Sequence, residues 1–220
     1  MDLGHLREDY GRLELYREQL PGSPFTLFEQ WFKAACDREL AEPNAMILAT
    51  VSPEGIPAQR TVLLKYFDLS GFVFFTNYES RKAKHLEQNP MGSLLFLWLP
   101  LERQVEIQGR VERVSTAESL AYFASRPRGS QLGAWCSQQS QVITSRKLLE
   151  LKFDEIRRKF ANHQIPLPSF WGGYRMVPHQ VEFWQGRPNR LHDRFLYVRA
   201  PHAAPHATQS DDWCIQRLAP

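Results

Sequence analysis

The sequence predicts a β-rich fold, an antiparallel barrel accompanied by a few helices. About eight short apolar runs are separated by turn residues, and few helical segments lie between them. Neither G-x-G-x-x-G after the first strand nor G-x-x-x-x-G-K-[ST] occurs, so a dinucleotide-binding fold and a P-loop are not supported. The 14 Phe and 6 Trp residues fit a β-rich core or a site for a flat ligand.

Length, charge and cysteine content limit the class of protein. At 220 residues the chain is long enough for one sizeable core, so we expect a single domain over 1–220. The 27 cationic side chains nearly balance the 24 anionic ones, which argues against a nucleic-acid partner. Cys36, Cys136 and Cys214 are far apart and lack metal-binding spacing, so we expect reduced thiols, no metal and a cytoplasmic location. Met1–Tyr16 has no apolar segment typical of a signal peptide, and no run approaches the ~18 apolar residues of a membrane span.

The N-terminal part of the chain is predicted to be helical. Over His5–Leu20, charged residues alternate with Leu and Tyr at roughly helical spacing, but the apolar face is narrow. We therefore expect an N-terminal arm, residues 1–22, whose helix is only marginally stable alone. Arg7 and Tyr10 are three residues apart and would share one face of it. A better helix is predicted from Pro24 to about Leu40, opened by a T-x-x-E capping box.

From Ala45 onward the apolar residues alternate as they do in strands. The predicted strands are Ala45–Val51, Pro57–Lys65, Phe72–Asn77, Ser93–Trp98, Arg103–Val114, Tyr174–Val177, Val181–Gln185, Leu191–Arg199 and Trp213–Leu218. The predicted helices between them are Arg81–Gln88, Ser115–Ser125 and Ser145–Asn162. The Gly-rich run Arg126–Trp135 is predicted to be a surface loop, and residues 200–212, rich in Ala, Pro and His, a flexible one.

One stretch, Arg60–Lys82, predicts a ligand site. Strand alternation separates its first six residues into two faces, with Arg60, Val62 and Leu64 on one and Thr61, Leu63 and Lys65 on the other. The run Ser80-Arg81-Lys82 stands where a helix begins, and the free N–H groups and dipole of a helix N-terminus favour an anion. Four cations around two apolar strands predict a site for a phosphate dianion. A solvent-exposed hairpin with basic ends remains the alternative.

Two further segments are rich in groups that bind phosphate: Tyr122, Arg126 and Ser130, and the run Arg190-Leu-His-Asp-Arg194. Gln104 could present its amide to a ligand edge. His192 and Asp193 do not predict a catalytic diad, because adjacent strand residues point to opposite faces. The histidines also lack the spacing of a zinc site. These features are typical of a cofactor enzyme, in which the protein binds flat, phosphorylated molecules and the cofactor does the chemistry.

Long motifs, in order along the chain, make the sequence similar to one known family. They are R-T-V-L-L-K, F-F-T-N-x-x-S-R-K-A, L-E-R-Q-V, Y-F-x-S-R-P-R, S-Q-L-G-A-W, P-S-F-W-G-G-Y, E-F-W-Q-G-x-x-x-R-L-H-D-R-F and R-L-A-P. With them the chain resembles the pyridoxine/pyridoxamine 5′-phosphate oxidase family over nearly its whole length. The resemblance implies an antiparallel split β-barrel with flanking helices, FMN as cofactor and a homodimer. It also implies oxidation of pyridoxamine 5′-phosphate and pyridoxine 5′-phosphate by O₂ to pyridoxal 5′-phosphate, in vitamin B6 salvage, with H₂O₂ and, from the amine, ammonia as further products.

The same resemblance implies roles for individual residues. Arg60, Arg81 and Lys82 would hold the FMN phosphate. The flavin would be lined by Thr61, Val62, Leu63, Leu64, Lys65, Phe75 and Thr76, with Gln104, Gln139, Ser140, Trp184 and Arg194 completing the site, partly from the second subunit. Lys65, Tyr122, Arg126 and Ser130 would contact the substrate phosphate. Arg190 and His192 would be the catalytic residues over the pyridine ring, with Leu191 between them and Arg7 and Tyr10 as a lid. Phe75 stands where the family often has Tyr, which keeps ring packing and removes a hydroxyl.

Three other functions were weighed on the same residues. Another split-barrel flavoprotein, with a substrate that lacks phosphate, would not need the set formed by Tyr122, Arg126, Ser130 and Arg190-Leu-His192. A carrier of flavin or of vitamin B6 phosphate would bind the same molecules and consume no O₂. A nucleic-acid-binding protein is favoured only by the Arg and aromatic content, and the nearly balanced charge makes it the weakest of the three.

Overall fold

The computed structural model describes residues 1–3, 5, 10–11, 13–200 and 213–220. Within these residues the strands are β1 (Ala45–Val51), β2 (Pro57–Leu63), β3 (Tyr66–Asp68), β4 (Gly71–Asn77), β5 (Met91–Trp98), β6 (Arg103–Arg113), β7 (Trp171–Gln185), β8 (Asp193–Arg199) and β9 (Trp213–Leu218). The α-helices are α1 (Pro24–Asp37), α2 (Arg81–Gln88), α3 (Thr116–Ser125), α4 (Arg128–Cys136) and α5 (Arg146–Lys159). Short 3₁₀ turns lie at Arg17–Gln19, Leu99–Leu101 and Pro188–Arg190. No helix in these ranges combines the length and the apolar content needed to cross a membrane.

The strands form one antiparallel sheet in the order β2-β1-β5-β6-β7-β4-β3, with β8 added to β7 and β9 added to β8. Strand β7 is 15 residues long and carries two partners one after the other. Its first part, Trp171–Met176, pairs with β4, and its last part, Gln180–Gln185, pairs with β8. The register of β6 against β7 shifts between Gln108 and Gly109, which marks a bulge between the two parts. A bulge bends its strand and increases the local twist, so the sheet curls into a half-barrel.

The main hydrophobic core lies between the sheet and α1. Phe28 of α1 is fully buried, and its ring centroid lies 4.9–5.0 Å from those of Phe67, Phe72 and Phe96. The apolar residues of α1 recur at helical spacing, so one face is buried while Lys33 and Asp37 form an exposed ion pair on another. The helix is therefore stabilised mainly by this packing.

A second, smaller core is formed by α3, α4 and α5 against the start of β7. Phe123, Leu132, Ile156, Phe160 and Trp171 are buried in it. These helices leave one cavity open toward β2 and β4, and about half of the predicted site residues line that cavity.

Most predicted elements are confirmed. β1, α2 and β9 begin and end at the predicted residues. The box at Ser115 and Glu118 forms both of its reciprocal bonds at the start of α3. The homogeneous antiparallel pairing confirms the predicted β-rich antiparallel class.

The predicted helix in the arm is wrong for the residues that the structure describes. Only the 3₁₀ turn Arg17–Gln19 is helical there. The N–H groups of Gly11 and Leu15 donate instead to the carboxylates of Glu102 and Asp193, at 3.0 and 3.3 Å. Side chains from distant parts of the chain thus replace the bonds that a helix would make within itself. Residues 201–212 of the predicted flexible loop lie outside the described part.

Three other predictions need correction. The Gly-rich run Arg126–Trp135 is mostly helix α4, because its apolar residues pack on α5 and this packing overrides the weak propensity of its glycines. The two strands predicted between 174 and 185 are one strand, β7, and the short β3 was missed. Strand β8 begins at Asp193 rather than Leu191, because Asn189 and Arg190 have positive φ angles of 57° and 62°. Alternation along a strand from Leu191 would put Arg190, His192 and Arg194 in the same parity, on one face. Because Arg190 and His192 lie before the observed strand, they share no strand face with Arg194.

Candidate active site

A cavity of about 610 Å³ opens between β2, β4, α3 and α4. Eleven of the residues that line it were predicted from the sequence: Thr61, Val62, Leu63, Lys65, Phe75, Thr76, Lys82, Tyr122, Arg126, Ser130 and Gln139. The others are Asn77, Pro127, Gly133, Ala134, Ser137 and Trp171. The volume is within the usual range for a small-molecule site. The fold therefore brings together residues from four separate stretches of the sequence.

The N-terminus of α2 forms one wall of this region. Ser80 caps the helix by accepting a hydrogen bond from the Ala83 N–H group at 3.4 Å. The ammonium of Lys82 donates to Thr76 Oγ1 at 3.1 Å and to Gln139 Oε1 at 2.9 Å. Lys82 is only 7% exposed. A buried ammonium is thus held by neutral oxygens at the positive end of a helix dipole.

Arg60 and Arg81 carry positive charge close to Lys82. Burial, with the charges of Arg60 and Arg81, lowers the pKa of Lys82 to about 8. Burial, with the charge of Arg81, also lowers the pKa of Arg60. We call Arg60, Arg81 and Lys82 the cationic cluster. A dianion beside it would relieve this repulsion and favour the charged form of Lys82.

The guanidinium of Arg60 is directed by β1. Its Nη1 donates to Leu48 O at 3.0 Å and to Thr50 Oγ1 at 2.7 Å. Its Nη2 is buried and has no hydrogen-bond partner among the described residues. A buried charged donor without a partner is costly, so the donor set of the cationic cluster fits a phosphate group.

Stacked rings form the opposite wall. The ring of Phe75 lies 4.0 Å from that of Tyr122 and 5.4 Å from that of Trp171, nearly parallel to both. Gly173 allows this arrangement, because a Cβ atom there would approach the Phe75 ring to 2.8 Å. The Arg126 guanidinium lies 4.6 Å from the centre of the Trp171 ring. Its Nη1 is buried and has no partner in the described part of the chain, and burial lowers its pKa.

The segment after α4 closes the cavity near α2. Ser137 O accepts a bond from the Asn77 side-chain amide at 3.1 Å, and Ser140 Oγ accepts one from the Arg81 N–H group at 3.2 Å. Arg60, Arg81 and Ser140 themselves do not line the cavity. Leu64 also does not, because its side chain is buried in the main core. The backbone N–H and carbonyl groups of Leu64 are bonded to Asn44, at 2.9 and 3.0 Å.

Other predicted residues gather at the far end of β7. Trp184 pairs with Gln104 of β6 and with Arg194 of β8. The ring of His192 lies 4.5 Å from that of Trp184, and Tyr10 contacts both rings at 5.8–5.9 Å. Arg194 binds Glu182 through two hydrogen bonds of 2.8 and 3.1 Å. None of these residues lines the cavity.

His192 is held in one tautomer. Its Nδ1 accepts a bond from the Arg187 N–H group at 3.1 Å. Burial and the charge of Arg190 lower the pKa of His192. The ring is therefore neutral near pH 7, with its proton on Nε2, and it can donate from that atom. Arg190 and Leu191 are exposed beside it, and the predicted lid residue Arg7 lies outside the described residues.

The two groups of predicted residues lie at opposite ends of β7. Trp171 lines the cavity and Trp184 carries the second group. Thirteen residues of strand span roughly 40 Å along the chain, more than a small ligand can bridge. Among the described residues, the cavity of one chain therefore contains only the first group.

The curled antiparallel sheet, with helices that enclose a cationic and aromatic cavity, defines a split-barrel protein. The fold is similar to that of a pyridoxamine 5′-phosphate oxidase-related, FMN binding protein from Nostoc punctiforme, with a TM-score of 0.70, 18% identity, and coverage of 90% of this chain and 98% of that one. The chain belongs to the pyridoxamine 5′-phosphate oxidase family, whose model matches residues 32–160. Residues 171–220 match the C-terminal dimerisation region of pyridoxine 5′-phosphate oxidase, which confirms the predicted homodimer.

Relatives extend this match over the full chain. The sequence is 64% identical to the pyridoxine/pyridoxamine 5′-phosphate oxidase of Rippkaea orientalis over 220 residues, all of both chains. It is 53% identical to that of Escherichia coli over 218 residues, 99% of this chain and 96% of the other. The crystal structure of PhzG from Burkholderia lata, bound to tetrahydrophenazine-1-carboxylic acid, has a TM-score of 0.87 at 27% identity, with coverage of 97% of this chain and 100% of that one. The predicted resemblance and split-barrel fold are thus confirmed.

Sequence reasoning assigned no role to Trp171, although the ring is central to the aromatic wall. Its signal was the motif P-S-F-W-G-G-Y, where two glycines in a strand indicate close approach of another group. Asn77 and Ser137 were missed because their contact joins residues 60 positions apart. No local pattern indicates such a pair.

Proposed function

We propose that this protein is an FMN-dependent oxidase that converts pyridoxamine 5′-phosphate and pyridoxine 5′-phosphate to pyridoxal 5′-phosphate. The observation that carries the proposal is one cavity with cations at two places and a wall of stacked rings. Lys82, with Arg60 and Arg81 near it, marks one place, and Arg126, which lies against the Trp171 ring, marks the other; Lys65 also lines the cavity. Two phosphorylated, flat molecules, a cofactor and a substrate, fit such an arrangement. The full-length relatives that bear this enzyme's name support the same activity.

The residues present fit FMN. Lys82, Arg81 and Arg60 would hold its phosphate, since Arg60 Nη2 is a buried donor without a partner in the described residues. Thr61, Val62, Leu63 and Thr76 would line the flavin, with Gln139 and Ser140 beside the phosphate. When bound, FMN supplies the capacity to accept a hydride from the substrate and to pass the electrons to O₂. The protein binds and orients both molecules.

The substrate phosphate is assigned to the second place in the cavity. The Nη1 atom of Arg126 is buried and has no hydrogen-bond partner among the described residues. Ser130 lies in the first turn of α4, near its N-terminus. Lys65 and Tyr122 line the same wall. A guanidinium, an ammonium and hydroxyl donors together suit a dianion with three acceptor oxygens.

We assign the residues at the far end of β7 to the cavity of the partner subunit. Arg190, His192 and Tyr10, with the predicted lid residue Arg7, would cover the substrate ring, and Gln104, Trp184 and Arg194 would complete the flavin site. The separation along β7 supports a site made by two chains. Within it, His192 would donate from Nε2 to an oxygen on the substrate ring, and Arg190 would place the reacting carbon and exclude water. Positioned groups of this kind contribute on the order of 10²–10⁴ in rate.

The test is an absorbance spectrum of the purified protein, followed by pyridoxine 5′-phosphate in air with O₂ and product recorded. We expect a yellow protein that consumes O₂ and forms an aldehyde. A yellow protein that ignores this substrate would instead be another split-barrel flavoprotein, and one that binds it without consuming O₂ would be a carrier. A colourless protein that does not take up added FMN would refute the proposal. The single domain and the cytoplasmic location stay predictions.

A further inference from the structure

A buried contact between β1, β2 and α2 lies behind the cationic cluster. Thr50 is 1% exposed and His85 is 8% exposed. Thr50 Oγ1 lies 2.7 Å from Arg60 Nη1 and 3.1 Å from His85 Nδ1. Neither Thr50 nor His85 lines the cavity, and neither was assigned a role from the sequence. The side chains nevertheless form a continuous chain from α2 to the guanidinium of Arg60.

The direction of the bond between Arg60 and Thr50 follows from the groups involved. An arginine N–H can only donate, so Thr50 Oγ1 accepts the bond from Arg60. The hydroxyl proton of Thr50 is then available to His85 Nδ1. In this arrangement Thr50 both accepts and donates, as a buried hydroxyl should.

The bonds to β1 orient the rest of the guanidinium. Nη1 of Arg60 donates to Thr50 Oγ1 and to Leu48 O, the latter at 3.0 Å. Because the guanidinium is planar and rigid, two bonds on Nη1 restrict the direction of Nη2. Nη2 is the buried donor that lacks a partner in the described residues. Its direction is therefore set by residues of the scaffold, before any ligand contacts it.

We infer that Thr50 and His85 are positioning residues for the cofactor phosphate. They hold Arg60 so that its Nη2 is already directed when the phosphate arrives, with Thr50 bonded to the guanidinium and His85 orienting the Thr50 hydroxyl. A preorganised donor loses less freedom on binding than a mobile one. The inference rests on the proposed function, because it takes the cationic cluster as the site of the FMN phosphate.

FMN and riboflavin differ only in the phosphate. A residue that positions a phosphate-binding group should therefore change the affinity of the apoprotein for FMN alone, whereas a general structural role would change the affinity for both. Titrations followed by flavin fluorescence give both dissociation constants. We expect Thr50→Val to weaken FMN about tenfold, the effect of one bond to a charged group, and to leave riboflavin unchanged. Thr50→Ser keeps the hydroxyl and is the matched control, with FMN affinity within about twofold of the wild type.

His85 is tested in the same way. His85→Leu removes the acceptor, and we expect roughly threefold weaker FMN binding with riboflavin unchanged. His85→Asn keeps an acceptor near the position of Nδ1 and should restore most of the affinity. If Thr50→Val does not fold, as judged by its thermal unfolding, the His85 pair decides the question.

A double substitution tests whether Thr50 acts through Arg60. In an Arg60→Met background, Thr50→Val should weaken FMN no further, because the side chain that it positions is gone. Three outcomes would each overturn the inference: an equal loss of affinity for FMN and riboflavin, no loss of affinity for FMN, or a full additional loss of FMN affinity in the Arg60→Met background. A wild-type protein that binds riboflavin as tightly as FMN would instead refute the phosphate assignment within the proposed function.

Discussion

The surroundings of Lys82 in the cavity change the pKa of its ammonium group. Its ammonium is buried and lies near two other cations, and these together lower its pKa to about 8. Its hydrogen-bond partners Thr76, Ser80 and Gln139 are neutral, so they orient the ammonium without neutralising it. A bound phosphate would raise this pKa again, because an opposite charge favours the ammonium form.

The affinity for FMN should therefore depend on pH. Below pH 8 Lys82 is charged in the free protein and affinity is at its maximum. As the pH rises through 8 toward 9, binding must also take up a proton, so the affinity falls. Fluorescence titrations of the apoprotein between pH 7 and 9 measure this slope.

Two variants test whether the pH dependence of FMN affinity arises from the titration of Lys82. Lys82→Ala should bind FMN roughly ten- to hundredfold more weakly, with little effect on the substrate and with a flat profile between pH 7 and 9. Lys84→Ala, at an exposed position of the same helix, should keep both the affinity and the slope. An unchanged FMN affinity in Lys82→Ala would contradict the phosphate assignment.

Arg190 is the second residue whose role is open to a direct test. Its positive φ of 62° turns it out of the strand, and it is exposed beside His192. We expect Arg190→Ala to lower kcat/KM about a hundredfold while the protein retains FMN, as for other positioning groups. Arg157→Ala, on the exposed face of α5, is the control. Steady-state kinetics indistinguishable from the wild type would remove Arg190 from the site.

At the scale of elements, the pairing of β4 with β7 supports the cavity wall. Phe75 and Thr76 reach the cavity from β4, and Trp171 reaches it from β7. The turn that leads into β4 requires Gly71, which has a φ of 143°. A Cβ atom there would approach the Met176 carbonyl oxygen to 2.1 Å, so the two strands would have to move apart.

Gly71→Ala should therefore lower the free energy of unfolding by about 2–4 kcal/mol, since both strain and a clash with backbone act together. The matched control is Gly129→Ala in α4, where a Cβ atom meets nothing within 4 Å. A helical Gly→Ala change stabilises by up to about 1 kcal/mol. Denaturant unfolding of both variants gives the comparison, and equal stability would contradict this account of β4.

At the scale of the whole molecule, Asp193 joins the two ends of the chain. It is 6% exposed and accepts bonds from the Leu15 N–H group of the arm and from Arg217 of β9, at 3.3 and 2.6 Å. Arg187 lies 3.5 Å away on the turn before His192. The arm is thus tied to the segment that carries Arg190 and His192.

Asp193→Asn should destabilise the protein by about 3 kcal/mol, because it removes the charge of a buried group that pairs with Arg217 and lies 3.5 Å from Arg187. Asp154→Asn is the control, since its pair with Arg157 is exposed and should change stability by less than about 0.5 kcal/mol. Thermal and denaturant unfolding measure both. An Asp193→Asn protein as stable as the control would mean that the position of the arm does not depend on the charge of Asp193.

Much of the fold and half of the site could be predicted from local patterns. Strand alternation and capping boxes are short-range signals, so β1, α2 and β9 were predicted to the residue. Lys65 was predicted because it stands at the end of an apolar run, and Lys82 because it stands where a helix begins. Helix α4 was missed because Pro127 and two glycines read as a loop, while its stability comes from packing on α5.

The sequence by itself determined the β-rich class, the family and the types of residue that bind phosphate, because local periodicity and continuous motifs are enough to predict them. Only the tertiary structure decided which of those residues meet. It placed Trp171 under Phe75 and separated Trp184 and His192 from the cavity. It also connected His85 to Arg60 through Thr50, which lies 35 positions before His85 in the sequence. Contacts between distant residues depend on how the sheet curls and on what covers it, and no local pattern contains that information.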